Sequence, residues 1–180
     1  MSRYLKAELI LPLTIFLAAL ALGISELMTT FEFTPPGGDP LTDQLAGDRH
    51  GFAMLVLAIF AVASLVLAVA TGQPAWAWAT AGFGVAALIL FLVVDLPDVN
   101  KIGDVEIPGG FGLTSAEAVP QPGFWLEAGG AIVLGLASIA FATQGAEQRQ
   151  APRRRLESRR ARKRKPKHDS APGRPADQKP

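Results

Sequence analysis

Residues Ile102–Thr143 read IGDVEIPGGFGLTSAEAVPQPGFWLEAGGAIVLGLASIAFAT, and a version of this stretch stands 72 residues earlier. Pro108-Gly109-Gly110, Leu113-Thr114, Gly123-Phe124 and Ala142-Thr143 echo Pro36-Gly37-Gly38, Leu41-Thr42, Gly51-Phe52 and Ala70-Thr71. Phe31–Thr71 aligns with Gly103–Thr143 without a gap, and 11 of 41 positions are identical. Glycine, proline and alanine inflate such a count. A constant offset through both a loop and an apolar run is harder to reach by chance, so the pattern indicates an internal duplication.

Working outward, the apolar residues fall in blocks of about twenty, at residues 9–28, 51–70, 76–94 and 123–142. Helices apolar on all sides cannot be covered by a chain of 180 residues. In water they would expose patches far above the usual few hundred Å². The expected fold is therefore an all-α integral membrane bundle of four transmembrane helices, made of two duplicated helix–loop–helix hairpins. The hairpins should be related by a pseudo-twofold axis along the membrane normal. Residues 1–146 form this domain, with long loops at 29–50 and 95–122 and a tight connection at Thr71-Gly72-Gln73-Pro74. Residues 147–180 form a basic, Pro-rich tail expected to be disordered. Phe31–Thr34 and Gly103–Pro108 alternate as short strands would.

The first apolar block follows a basic head with Arg3 and Lys6, and Ala19-Leu20-Ala21 resembles a signal-peptide cleavage site. The apolar run continues past Ala21 to Met28, and the duplication pairs it with a second run, so a retained helix is expected.

The net charge of +1 hides an asymmetry. Residues 1–146 carry four basic side chains against twelve acidic, and residues 147–180 carry thirteen against four. Basic residues near span ends mark the cytoplasmic side. Both termini are thus expected in the cytoplasm of a bacterial inner membrane, with both acidic loops outside. The Ala-, Gly- and Arg-rich usage suits a GC-rich genome. Tyr4, Trp76 and Trp78 are expected at the inner interface, and Phe124 and Trp125 at the outer one. Ala19-x3-Gly23, Ser64-x3-Ala68, Gly82-x3-Ala86 and Ala131-x3-Gly135 offer faces for close helix packing.

Absent cysteine excludes disulfides, thiolate metal sites and cysteine nucleophiles. No His-Glu-x-x-His, Gly-x-Ser-x-Gly or Gly-x4-Gly-Lys-Ser/Thr motif occurs, and Gly109-Gly110-Phe111-Gly112 reads as a turn. Neither a metal nor a cofactor is expected. Four ionisable residues, Glu26, His50, Asp95 and Glu127, share one level at the outer helix ends. Their first reading is hydrated groups at the headgroup boundary or helix caps. Their second is a cation site or proton relay. Glu127 lies inside its span, about 6 Å beyond Gly123 at 1.5 Å per residue, and its counterpart in the first copy is the apolar Leu55.

In the tail, Arg153, Arg154, Arg155, Arg159, Arg160, Arg162, Lys163, Arg164, Lys165 and Lys167 are opposed by Glu157 alone. They suit a topological anchor or an anionic inner leaflet, each contributing about 1 kcal/mol there. No aromatic residue follows Phe141, so base stacking is unavailable and nucleic acid is not expected as a partner.

Two hairpins with larger outer loops resemble the layout of tetraspan proteins such as claudins. The tryptophan and paired cysteines of the claudin outer loop are absent from residues 29–50. The leading functional expectation is a non-catalytic membrane accessory, scaffold or assembly component with a membrane-protein partner or a second copy of itself. A small transporter using Glu127 is the alternative. An outer-leaflet enzyme is a further one, and it requires Glu127, Asp95 and His50 to converge to hydrogen-bond reach.

Overall fold

The computed structural model describes residues 4–106, 110, 112–145, 147, 148, 154 and 157, with only the backbone for residues 4–8. The elements run α1 (Tyr4–Ser25), β1 (Thr29–Thr34), β2 (Thr42–Leu45), α2 (Ala46–His50), α3 (Ala53–Thr71), α4 (Pro74–Leu90), β3 (Ile102–Glu106), β4 (Leu113–Pro120) and α5 (Pro122–Ala142). A π turn at Phe91–Asp95 and a 3-10 turn at Leu96–Asp98 extend α4.

The all-α expectation is overturned. Both long loops fold into strands and join as one antiparallel half-barrel sheet of order β2-β1-β4-β3. The link between the halves is β1 to β4, with Phe31 opposite Pro120 and Thr34 opposite Glu117. Strand pairing satisfies backbone N–H and C=O groups that a structureless loop would leave to water.

The four-span expectation is corrected too. Among the described residues, three helices are long and apolar enough to cross a membrane: Ala53–Thr71, Pro74–Asp98 and Pro122–Ala142. The apolar part of α1, Leu9–Ser25, is shorter. It stops before Met28 because the amides of Leu27 and Met28 turn back to the carbonyls of Ile24 and Ser25, and β1 starts at Thr29. Tyr4 and the tail, apart from Glu147, Gln148, Arg154 and Glu157, lie outside the residues whose side chains are described, as does most of Gly109–Gly112.

The long helices pack in a closed ring, α1 to α5, α5 to α4, α4 to α3 and α3 to α1. At the α4–α5 crossing, a Cβ on Gly84 would lie 3.0 Å from both the Leu134 carbonyl and Ser138 Oγ. Ala131, Gly135, Ala19, Ser64 and Ala68 are buried, whereas Gly82 faces open space, so the expected Gly82-x3-Ala86 face is replaced by Ala77, Ala81 and Gly84. Between α1 and α3 an apolar groove of about 560 Å³ remains, lined by Phe16, Leu20, Leu55 and Ile59 among others.

The ring of helices is compatible with the predicted twofold, but the sheet is not. The twofold exchanges β1 with β3 and β2 with β4, so a β1–β4 pair requires a β3–β2 pair, and β2 and β3 are instead the two edges. The repeated glycines likewise do different work. Gly51 (φ 57°) and Phe52 (φ 61°) make a left-handed turn into α3. Gly123 sits against β1, where a Cβ would lie 2.5 Å from the Thr29 carbonyl oxygen. Phe124, expected at the outer interface, is buried between Phe31 and Phe91, with ring centroids 5.4 and 5.3 Å away. Trp76, Trp78 and Trp125 are exposed.

Gly123→Ala should destabilise the fold by roughly 1–3 kcal/mol, because backbone and not a pliant side chain opposes the new methyl. Gly129→Ala, on the same helix with nothing within 4 Å, should be neutral or stabilising by up to about 1 kcal/mol. Thermal unfolding of both variants in detergent checks the contrast.

Candidate functional site: a buried carboxylate–histidine–arginine cluster

Each group of the cluster arrives from a different helix end. Glu26 is the first residue past α1, His50 the last of α2, Asp95 the last of the π turn, and Glu127 lies in the second turn of α5. The π turn inserts an extra residue per turn just where α4 meets the sheet, a distortion frequent at functional sites. α2 is docked to the end of α1 by Gly47 N–H donating to the Glu26 carbonyl at 3.1 Å and Ala46 N–H to the Met28 carbonyl at 3.3 Å.

His50 Nε2 lies 3.1 and 2.9 Å from the two Asp95 carboxylate oxygens. It lies 3.9 Å from Glu127 Oε1, and His50 Nδ1 is 3.8 Å from Glu26 Oε1. Glu26 Oε1 accepts from Met54 N–H at 2.8 Å, which seats the start of α3 on the end of α1. Arg49 holds the other side. Its Nε is 3.2 Å from Asp95 Oδ1, and its Nη2 donates to Asp98 Oδ2 at 2.5 Å and to the Val94 carbonyl at 3.0 Å. Its guanidinium stands 4.9 Å over the Phe31 ring, a cation–π contact that ties the cluster to β1. Lys101 donates to the second Asp98 oxygen at 3.1 Å from the exposed side.

The reading of hydrated groups at the headgroup boundary does not hold. Glu26, Asp95 and Glu127 are 0–1 % exposed, and the His50 side chain is 2 % exposed. Burial leaves several polar atoms without a hydrogen-bond partner: Glu26 Oε2, His50 Nδ1 and both oxygens of Glu127. A ligand atom each from His50, Asp95 and Glu127 falls within 4.8 Å of the others. Such a set can hold a proton between carboxylates or coordinate a cation.

Two cluster members escaped the sequence reading. Arg49 was visible as the lone base of an acidic loop, and Asp98 lies one turn after Asp95. Neither adjoins one of the apolar blocks at 51–70 and 76–94, so neither stands out before the chain is folded. Comparison with protein-family models, curated proteins and solved structures returns no match.

Arg49 is the only Arg or Lys among the described residues that contacts the buried carboxylates. Arg49→Ala should therefore destabilise the fold by about 3–5 kcal/mol, the usual cost of stranding a buried charge. Arg49→Lys should recover only part, since an ammonium lacks the guanidinium fork that reaches Asp95 and Asp98 together. Adding Asp95→Asn to Arg49→Ala should cost less than the sum of the single changes. Unfolding midpoints across this cycle check the coupling.

Proposed function

We propose that this chain is a non-catalytic integral membrane protein, an accessory or assembly component that presents a rigid outer sheet to a partner. The observation that carries the reading is the β1–β4 pairing, which fuses two distant segments into one platform seated on the helix ends. Short loops would suffice to turn the chain. A four-stranded sheet with two unpaired edges, β2 and β3, offers main-chain groups for strand addition by another protein. Ile102 and Leu113 are exposed on that platform, giving the partner apolar contact area. The apolar groove between α1 and α3 offers a seat for a partner helix at membrane depth.

In this reading the sheet is extracytoplasmic in a bacterial inner membrane and both termini are cytoplasmic. The positive-inside distribution supports it, with the basic residues concentrated at residues 147–180. The tail then lies against the anionic inner leaflet.

A transport role has one observation in its favour, the buried and unpartnered Glu127. A polar path along the helices argues for it far less. The hydroxyls of Ser64, Thr80 and Ser138 each donate to a carbonyl of their own helix, Phe60, Trp76 and Leu134, and so line no stripe. An enzyme at the outer face has the convergence it requires, since His50, Asp95 and Glu127 meet. Their burial, however, leaves the catalytic atoms no contact with a substrate.

A photo-crosslinking residue at Ile102, on the β3 edge, should give discrete adducts in membranes. The same residue at Ile139, exposed on α5 away from the sheet, should give lipid adducts only. A chain that purifies alone as a monomer after gentle solubilisation, with no adduct at Ile102, would overturn the partner-contact reading.

A further inference from the structure

We propose that His50, Asp95 and Glu127 form a binding site for one divalent cation of the zinc class, with Glu26 and Arg49 orienting the ligands. The inference is independent of the partner-contact reading.

Charge is the first argument. Arg49 and Lys101 face Asp95 and Asp98, which balances those two carboxylates. Glu26 and Glu127 remain, both buried, with His50 as their neighbour. Left ionised in a water-poor site, two such carboxylates would cost several kcal/mol each, so a proton or a cation must neutralise them. One dication beside a neutral imidazole closes the balance.

Geometry is the second. A tetrahedral zinc with bonds of about 2.0–2.1 Å sets its ligand atoms roughly 3.4 Å apart. The observed separations from His50 Nε2 straddle that value, 2.9 Å to Asp95 and 3.9 Å to Glu127. Shifts of about half an ångström bring these two separations to that value, and the third, Asp95 to Glu127, is already within 4.8 Å.

The orphaned atoms are the third argument. With Nε2 on the metal, the His50 proton sits on Nδ1 and faces Glu26 Oε1, now 3.8 Å away. This is the carboxylate–histidine–metal arrangement, in which the outer carboxylate fixes the tautomer and raises ligand basicity. Glu127, with both oxygens buried and unpartnered, gains a partner in the same step. Arg49 Nε holds Asp95 Oδ1, leaving Oδ2 for the metal. An imidazole nitrogen in the set favours zinc and its borderline neighbours over magnesium or calcium, which take oxygen ligands.

The site would join α2, the π turn after α4, and α5, three elements that meet beneath the sheet. A bound ion would therefore cross-link both halves of the duplication. Binding stabilises the folded chain by mass action, so unfolding reports it without any assay of activity.

The test uses the full chain in detergent, stripped with EDTA and then titrated with Zn²⁺, with Mg²⁺ in parallel. Wild type should take up one tightly held zinc per chain and unfold at a higher temperature with it, and Mg²⁺ should do neither. Glu127→Gln, which preserves shape, should bind zinc at least tenfold more weakly, and Glu26→Gln should weaken it about 10- to 100-fold. Asp104→Asn, an exposed acid on β3, should match wild type. In zinc, Glu127→Gln should also unfold at a lower temperature than wild type. A folded wild type that takes up no zinc overturns the proposal and leaves a proton shared by Asp95 and Glu127. Equal zinc affinity in Glu127→Gln, or equal uptake of Mg²⁺, overturns it as well.

Discussion

Four carboxylates share one small volume with a single arginine and a histidine, and the rest of the structure is arranged to make that tolerable. Glu26, Asp95 and Glu127 are taken out of water, so each needs a partner or a compensating charge. Arg49 supplies much of it, reaching Asp95, Asp98 and the Val94 carbonyl at once and stacking on Phe31. To be there, Arg49 must ride on α2, and α2 must dock on the end of α1 through Gly47 and Ala46. The Gly51-Phe52 left-handed turn then returns the chain into α3, whose first turn caps Glu26. A short helix, two unusual backbone conformations and a π turn all follow from bringing these charges together.

The cluster also explains why the outer segments form a sheet and not two separate caps. β1 carries Phe31, which covers Arg49 on one side and stacks with Phe124 on the other. β4 runs beside β1 and leads directly into α5, the helix that carries Glu127. The two halves are thus coupled through aromatic packing and through charge at one level. Halves related by an exact twofold would pair β2 with β3 as well. The central β1–β4 pair breaks it, and each half contributes different chemistry: a base, an imidazole and Glu26 from the first, and Asp95, Asp98 and Glu127 from the second.

The candidate site was partly legible without coordinates. Glu26, Asp95 and Glu127 stand out because charged residues at the ends of long apolar runs are few, and helices that alternate in direction return these ends to one level. His50 follows by the same logic. Their burial was not legible, since a residue at a span end reads as hydrated unless something covers it. What covers it is the sheet, whose strands show in the sequence only as four to six alternating residues on each side, diluted by Pro, Gly and acidic residues. Phe124 was misplaced for the same reason, as an aromatic at a span end suits the interface until a strand closes over it.

The sequence by itself determined the long apolar helices, their order, the tight turn between α3 and α4, and the recurrence at an offset of 72. These depend on local composition and spacing, which are one-dimensional properties. Only the tertiary structure decided that the outer segments pair across the two halves, that the first helix ends at Ser25, and that Arg49 and Asp98 join the cluster. Strand pairing between residues nearly ninety positions apart, such as Phe31 and Pro120, leaves almost no trace in either segment alone. Its stabilisation comes from hydrogen bonds, aromatic contacts and charge compensation that exist only when both segments are present. Glu127 marks the boundary between the two kinds of information: the repeat singled it out against Leu55, and the fold gave it neighbours.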